Sequence, residues 1–337
     1  MRTALAIAVA LLAAAPPAGA AETLGRSAVT AGPVLAGGSV LWADAPSGRP
    51  RVLAGGPGRR PVVRARWPRA TAKDTGRTVA ALAGSADRVA AVVETCTTEV
   101  DGDAVFLGCT ERAFGGPRFS PLGGPMPRRG LRGCPGPRTP VSVAAGDGVF
   151  AVAENRSCQG IARTAAARSR VVLRRAGASW TVPSSGASDV RIAGRYMAFV
   201  EGGPRFGERA VLYDIARRKV VRRLAVDGIE SLDVQSDGTL ALLAYNGATT
   251  CAFLARRGND ELRRLECDVS SRHVALSGGR ALYVRDRALR LAGAGAPRTL
   301  ARAGRGKEIG GFDLGPRRAV WSVGELSGRH RIMLQRL

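Results

Sequence analysis

The sequence predicts an all-β fold made of one antiparallel sheet repeated around a ring, and three observations carry that prediction. First, residues 187–226 read as four consecutive strands. Val190 and Ile192 alternate with Asp189 and Arg191, and Tyr196–Val200 is an unbroken apolar run. Ala210–Tyr213 and Val220–Ala225 follow, separated by a polar turn from Asp214 to Lys219. Second, the short apolar run recurs at Val40–Trp42, Val89–Val93, Val149–Val152, Tyr196–Val200, Leu240–Leu243, Ala281–Val284 and Ala319–Trp321. Third, helical periodicity is nowhere sustained after the first twenty residues; the Ala-rich Ile161–Ala167 is too short to count. Four antiparallel strands in about 40 residues, repeated around a ring, describe a single β-propeller, here with seven four-stranded blades.

The blades can be drawn in chain order. Blade one takes Pro33–Leu35, Val40–Trp42, Arg51–Ala54 and Pro61–Arg64; blade two takes Val79–Leu82, Val89–Val93, Ala104–Leu107 and Phe119. Blade three takes Val141–Ala144, Val149–Ala153, Arg170–Leu173 and Trp180–Val182, and residues 187–226 form blade four. Blade five takes Ser231–Val234, Leu240–Ala244, Cys251–Ala255 and Leu262–Leu265. Blade six takes His273–Leu276, Ala281–Val284, Ala288–Leu291 and Arg298–Leu300. Blade seven has only Gly311–Leu314, Ala319–Val323 and Arg331–Leu334. Glu22–Ala28 is expected to supply its missing outer strand, because an open sheet edge invites aggregation. The wide gap between Val89 and Val149 is assigned to an insertion loop at 115–139; with that insertion, six or eight blades also stay open.

Residues 1–20 read as a secretory signal. Arg2 gives a positive start, Ala4–Ala15 a short apolar core, Pro16-Pro17 a break, and Ala18-Gly19-Ala20 a small-residue cleavage site. That leaves 21–337 as one propeller domain, secreted or held outside the cytoplasm at the cell envelope. No later apolar run is long enough to span a bilayer, so no transmembrane segment is expected.

Six cysteines suit an oxidising compartment. Cys96 and Cys109 lie symmetrically about Val100–Asp103, an Asp-Gly hairpin turn; Cys251 and Cys267 lie symmetrically about Gly258–Asp260. Each bridge would close a loop of roughly 15 residues, worth about 3 kcal/mol in the chain-entropy account. Cys134 and Cys158 remain, both in loops. Metal binding is the weaker reading of these cysteines, since no Cys-x-x-Cys occurs and the only histidines are His273 and His330.

The formal charge is +24, almost all of it arginine, since Lys73, Lys219 and Lys307 are the only lysines. Such a surface favours polyanions. A GC-rich coding bias, which enriches Arg, Ala, Gly and Pro together, explains the same composition. In a propeller, loops joining second to third strands and loops joining consecutive blades emerge on one face. Gly115–Thr139, Asn155–Ser169 and Gly202–Glu208 are therefore expected to share a face over blades two to four, with a Cys134–Cys158 bridge tying the first two together. Those two carry Arg118, Arg128, Arg129, Arg132, Arg138, Arg156 and Arg163 with almost no acid, which makes them the leading candidate binding surface. A solvated Pro/Gly-rich insertion without a ligand is the competing reading.

Catalytic signals are sparse. There is no Gly-x-Ser-x-Gly elbow, no His-Glu-x-x-His and no Walker loop. His273 sits beside Val274 and Leu276 and reads as structural. Glu94 with Glu154 or Glu201 could act as paired carboxylates of a polysaccharide hydrolase or lyase; salt bridges to the local arginines explain them as well. Asp101–Asp103 could ligate Ca²⁺, but a hairpin turn accounts for the same residues. No cofactor and no catalytic residue are assigned. Nucleic acid is set aside, because export removes it and the few aromatics make no stacking platform.

Two turns carry a family resemblance. Ser236-Asp237-Gly238 before an apolar run, and Leu212-Tyr213-Asp214 before a basic turn and strand, resemble the propeller repeats of TolB-type and related WD-like bacterial proteins. The family's Ser-Pro-Asp-Gly turn lacks its Pro here, and the α/β domain that precedes the propeller in TolB has no counterpart. The resemblance implies the fold and an extracytoplasmic setting. From these readings together the expectation is a monomeric binding or scaffold module that recognises an acidic protein or anionic envelope polymer.

Overall fold

The computed structural model describes residues 20–337 except 70, 72–73, 86–87, 102–103, 123–137, 157–168, 203–206, 260 and 326–327. Its strands form seven four-stranded antiparallel sheets, the blades of a propeller. After β1 (Glu22–Ser27), blade one is β2 (Val29–Ala36), β3 (Ser39–Asp44), β4 (Arg51–Gly56) and β5 (Arg59–Arg66). Blade two is β6 (Asp74–Gly84), β7 (Val89–Asp101), β8 (Ala104–Gly115) and β9 (Ser120–Pro121). Blade three is β10 (Arg138–Gly146), β11 (Val149–Arg156), β12 (Ser169–Arg175) and β13 (Ala178–Ser184). Blade four is β14 (Ser188–Ala193), β15 (Tyr196–Glu201), β16 (Arg209–Asp214) and β17 (Lys219–Ala225). Blade five is β18 (Ile229–Val234), β19 (Leu240–Tyr245), β20 (Thr250–Ala255) and β21 (Arg263–Cys267). Blade six is β22 (Ala275–Ser277), β23 (Arg280–Arg285), β24 (Ala288–Ala292) and β25 (Arg298–Arg302). Blade seven is β26 (Glu308–Gly315), β27 (Arg318–Gly324) and β28 (His330–Arg336), and β1 completes it.

The closure is the one anticipated from the missing strand. β1 pairs antiparallel with β28, from Glu22↔Leu334 to Ser27↔His330, so the first described strand is the outer strand of the last blade. Leu24 on β1 is buried with Trp42, Ile332 and Leu334 at the junction of blades seven and one. An added Cβ on Gly55 would stand 2.8 Å from the Trp42 ring, so a glycine there makes the space the indole fills.

The middle strands explain the unbroken apolar runs. Leu240–Ala244 of β19 and Tyr196–Val200 of β15 are buried at every residue, because each blade is covered on both faces by its neighbours. Seven hydrophobic clusters result, and each joins two adjacent blades; Met197, Phe199 and Tyr213 of blade four, for example, pack with Ala151 and Leu173 of blade three. The outer strands are much more exposed, and their exposed positions include Arg59, Arg60 and Arg64 on β5, Lys219 and Arg223 on β17, and Arg298 and Arg302 on β25. Charge on an edge strand discourages pairing with another chain. Part of the arginine excess thus lies along the rim.

Cys251 and Cys267 are disulfide-bonded and sit opposite each other on β20 and β21. Cys96 is also disulfide-bonded and lies in register with Cys109 across β7 and β8, whose pairing runs out to Asp101↔Ala104. Cys134 and Cys158 lie outside the described residues. No helix among the described residues is long and apolar enough to cross a membrane.

Blade two departs from the expected strands. Its outer strand is Ser120–Pro121 and not Phe119, which occupies the preceding turn at positive φ. β7 and β8 extend for 13 and 12 residues, so a long hairpin and not the insertion alone fills the wide gap between repeats. Blade six also starts later than expected, at Ala275, with His273 just ahead of it. Removing Glu22–Ser27 should lower the melting temperature by about 5–10 °C, since it strips apolar cover from blade one and opens an edge on β28. Differential scanning calorimetry checks this; an unchanged melt would refute closure by β1.

Candidate functional site

The first strand of every blade lines a cavity of about 720 Å³ along the ring axis. Such a strand has a free edge, and its N–H groups need acceptors. The preceding blade supplies them. Ser142 Oγ accepts from Val190 N–H at 3.1 Å, and Asp189 Oδ2 from Leu232 N–H and from the Ser231 hydroxyl, both at 2.8 Å. Asp233 Oδ2 accepts from Leu276 N–H at 2.6 Å, His273 Nε2 from Phe312 N–H at 3.2 Å, and Asp313 Oδ2 from Leu35 N–H at 2.7 Å. Five successive boundaries, from blade three round to blade one, are joined this way. At the last of them Pro33 has no N–H to donate, and the donor is Leu35, at the same place before its turn as Leu276. Gly311 approaches the Gly32 carbonyl there so closely that a side chain would collide with it.

The channel concentrates ionisable groups. Arg191 pairs with Asp189 at 2.7 Å and shares the channel with Asp233 and Asp313. Burial pushes Asp233 up to about 7, with Asp313 adding to the shift and Arg191 opposing it. Burial likewise raises Asp313 to about 6 against the N–H bonds of Leu35 and Leu314 and the pull of Arg191. His273 is driven down to about 4, chiefly by burial and then by Arg191. It is therefore neutral at neutral pH, stacked on Phe312 with ring centroids 3.9 Å apart, and its Nε2 is already taken. The structural reading of His273 holds. These groups form an interblade brace. Sequence reasoning passed over Asp189, Asp233 and Asp313; the signal available was an Asp between apolar residues in a first strand, as in Leu232-Asp233-Val234 and Phe312-Asp313-Leu314.

The candidate carboxylates are engaged too. Glu154 is paired with Arg170 at 2.7 Å across the neighbouring strands β11 and β12, and Glu201 of β15 with Arg223 at 3.2 Å, reaching over β16 to β17. Glu94 lies in register with Glu111, whose carboxyl is raised by burial and by Glu94. Asp101 ends β7, while 102–103 fall outside the described residues, and no group of three or more potential metal ligands occurs among the described residues.

Strand direction fixes where the arginine-bearing connections leave the blades. We call the face holding second-to-third and blade-to-blade connections the upper face, and the face of the other hairpins the lower one. Pro121 and Arg138, Arg156 and Ser169, and Glu201 and Arg209 are the strand ends from which 123–137, 157–168 and 203–206 depart, all on the upper face. Arg138 and Arg156 face each other in register at the upper end of β10 and β11. Arg128, Arg129, Arg132 and Arg163 lie outside the described residues. Arg118 departs from expectation. It is exposed in the turn between β8 and β9, on the lower face, because the two-residue β9 returns the chain upward before the insertion begins.

No family model matches the chain, and no curated protein matches it. Solved structures do match. U3-55K is 12% identical with a TM-score of 0.55, over 94% of this chain and 98% of that one. YCF48 bound to D1 peptide is 10% identical with a TM-score of 0.52, over 94% and 96%. A puromycin hydrolase complexed with PGG is 12% identical with a TM-score of 0.54, over 89% of this chain but only half of that one. At such identities these likenesses show the fold alone.

The raised acids carry a pH signature. A carboxyl whose folded pKa lies above its unfolded one binds more protons in the folded state, so its contribution falls as pH rises from about 4 to 7. Asp233→Asn should flatten that part of the stability–pH curve relative to the parent chain. It should also cost about 1–3 kcal/mol at pH 5, because an amide cannot accept from both Leu276 and Val234 N–H. Urea melts at several pH values check both effects.

Proposed function

We propose that the chain is an exported binding or scaffold module of the cell envelope, in which residues 1–20 direct export and 21–337 form the propeller. It recognises an acidic protein or anionic polymer through arginines over blades two to four. The observation that carries this reading is compositional and topological together. Residues 123–137 and 157–168 contain Arg128, Arg129, Arg132 and Arg163 without a single Asp or Glu, and the strands flanking them end on one face of adjacent blades. Arg138 and Arg156 stand in backbone register at that same end. Guanidinium groups suit carboxylate and phosphate partners because their planar fork donates two parallel hydrogen bonds. Arg118 is left out of the surface, since it opens on the other face.

Two further observations support a binding role. The ionisable groups Asp189 and Asp233 of the channel and the candidate carboxylates Glu154 and Glu201 are spent on internal bonds. A propeller of the same fold, YCF48, is known bound to a peptide. The disulfide between Cys251 and Cys267 suits an oxidising setting outside the cytoplasm.

The test uses poly-glutamate as the acidic probe and dextran as the neutral control. Binding to poly-glutamate should weaken steeply as salt rises from 0.05 to about 0.3 M, because exposed charge pairs are screened. Replacing Arg128, Arg129 and Arg132 by Ser should weaken it about tenfold and flatten the salt dependence. Equal binding by the parent chain and the triple variant would overturn the reading.

A further inference from the structure

The lower face is built from short turns. The connections 37–38, 57–58, 147–148, 176–177, 194–195, 278–279 and 316–317 are each two residues long, and the longest on that face is 256–262. The upper face instead carries connections such as 122–137 and 157–168. Tight turns keep the lower residues close to the ends of the sheets, so the blades finish together in a shallow, level face.

Each blade brings an exposed cation to that face: Arg60 in blade one, Arg118 in two, Arg175 in three, Arg218 in four, Arg256 in five, Arg298 in six and Arg317 in seven. Every one lies in a lower connection or within two strand residues of it. Among the described residues, none of them has a carboxylate within salt-bridge distance. The exposed acids of the same face are fewer: Glu22, Asp147, Asp237 and Glu261. Glu22 already accepts from Gly58 N–H at 2.9 Å, and Asp237 from the Gln235 amide and Thr239 N–H. Asp87 and Asp260 also belong to lower connections but lie outside the described residues. At the upper strand ends, by contrast, acids neutralise arginines, as Asp44 does Arg51, Glu154 does Arg170 and Glu266 does Arg285. The lower-face acid that does so among the described residues is Asp214, which is buried and stands 3.5 Å from Arg195 and 3.9 Å from Arg217. None of the exposed large apolar residues, Val62, Val63, Val141, Val221 and Tyr245, lies in a lower connection. Whatever meets this face meets charge on a level ground and no apolar wedge.

We infer that the lower face docks the chain on the surface of an anionic lipid bilayer, by charge and without insertion. The cations are spread over every blade, so a compact anion meets only a few of them at once, whereas a plane of lipid phosphates meets them together. Attraction between exposed charges fades within about 8 Å at physiological salt. A level face brings all the blades within that distance of a bilayer, which a face with long loops does not. Guanidinium groups also donate paired hydrogen bonds to phosphate oxygens. This inference does not rest on the surface proposed above, which lies at the opposite end of the ring.

The experiment is co-sedimentation of residues 21–337, the whole propeller, with vesicles of mixed phosphatidylglycerol and phosphatidylcholine, and with phosphatidylcholine alone, at about 0.1 M salt. Binding to the anionic vesicles and not to the neutral ones is expected, and it should fall at least about fivefold when salt is raised to about 0.5 M. Arg118→Gln, Arg256→Gln and Arg317→Gln together should weaken it about tenfold or more, because each arginine held near an anionic surface contributes several-fold. Arg49→Gln, Arg272→Gln and Arg305→Gln remove the same charge from exposed upper-face positions and should leave it within about twofold. An unaltered melting temperature confirms that each variant is folded. Soluble linear polyphosphate at equal phosphate concentration should displace the chain only weakly. Complete displacement would assign the face to a polymer and overturn the inference, as would absence of binding to the anionic vesicles or an equal loss in the two triple variants.

Discussion

The ring depends on hydrogen bonds that no single blade can make. Apart from the solvent-facing edge of its outer strand, a propeller blade satisfies its backbone internally except along the inner edge of its first strand, which faces the axis. Leaving one such buried N–H without an acceptor costs about 1–3 kcal/mol. Ser142, Asp189, Asp233, His273 and Asp313 remove that cost at five successive boundaries by lending a side-chain acceptor to the next blade. Hydrophobic clusters between the blades supply bulk cohesion, but they are not directional. The acceptors fix how far each blade is rotated relative to its neighbour, since a bond of 2.6–3.2 Å tolerates little sliding.

This brace divides the electrostatics of the molecule into zones. Along the axis, Asp189, Glu230, Asp233 and Asp313 share the channel with Arg191, Arg272 and Arg318, and burial raises Asp233 and Asp313. Outside, arginine supplies the exposed charges of β5 and β25 and, with Lys219, those of β17. The +24 charge is thus carried by surfaces where water and salt can screen it. The rim arginines guard edges.

Much of the fold was legible because burial on both sides of a sheet writes itself as a continuous apolar run. Tyr196–Val200, Leu240–Leu243 and Ala281–Val284 announced the second strands, and the shortage in the last blade announced β1. The symmetric spacing of Cys251 and Cys267 about a turn gave their pairing. The brace was not legible. In alternation with Val190, Asp189 reads as an ordinary outward polar residue, and only the closed ring turns that direction into an enclosed channel. Arg118 was misplaced for a related reason: a strand of two residues leaves no periodic trace, so the reversal of the chain at Ser120–Pro121 was invisible.

The seam between β1 and β28 joins residues about 310 positions apart. Loop-closure entropy must be met before such a contact contributes. During synthesis, six blades can assemble while Glu22–Ser27 waits without a partner for a strand still being made. A ribosome that stops before His330 therefore releases a chain with two raw edges and an uncovered Trp42 neighbourhood, a species that proteases and aggregation remove first. The clasp acts as proofreading of length: only a chain translated through its last strand acquires a protected outline.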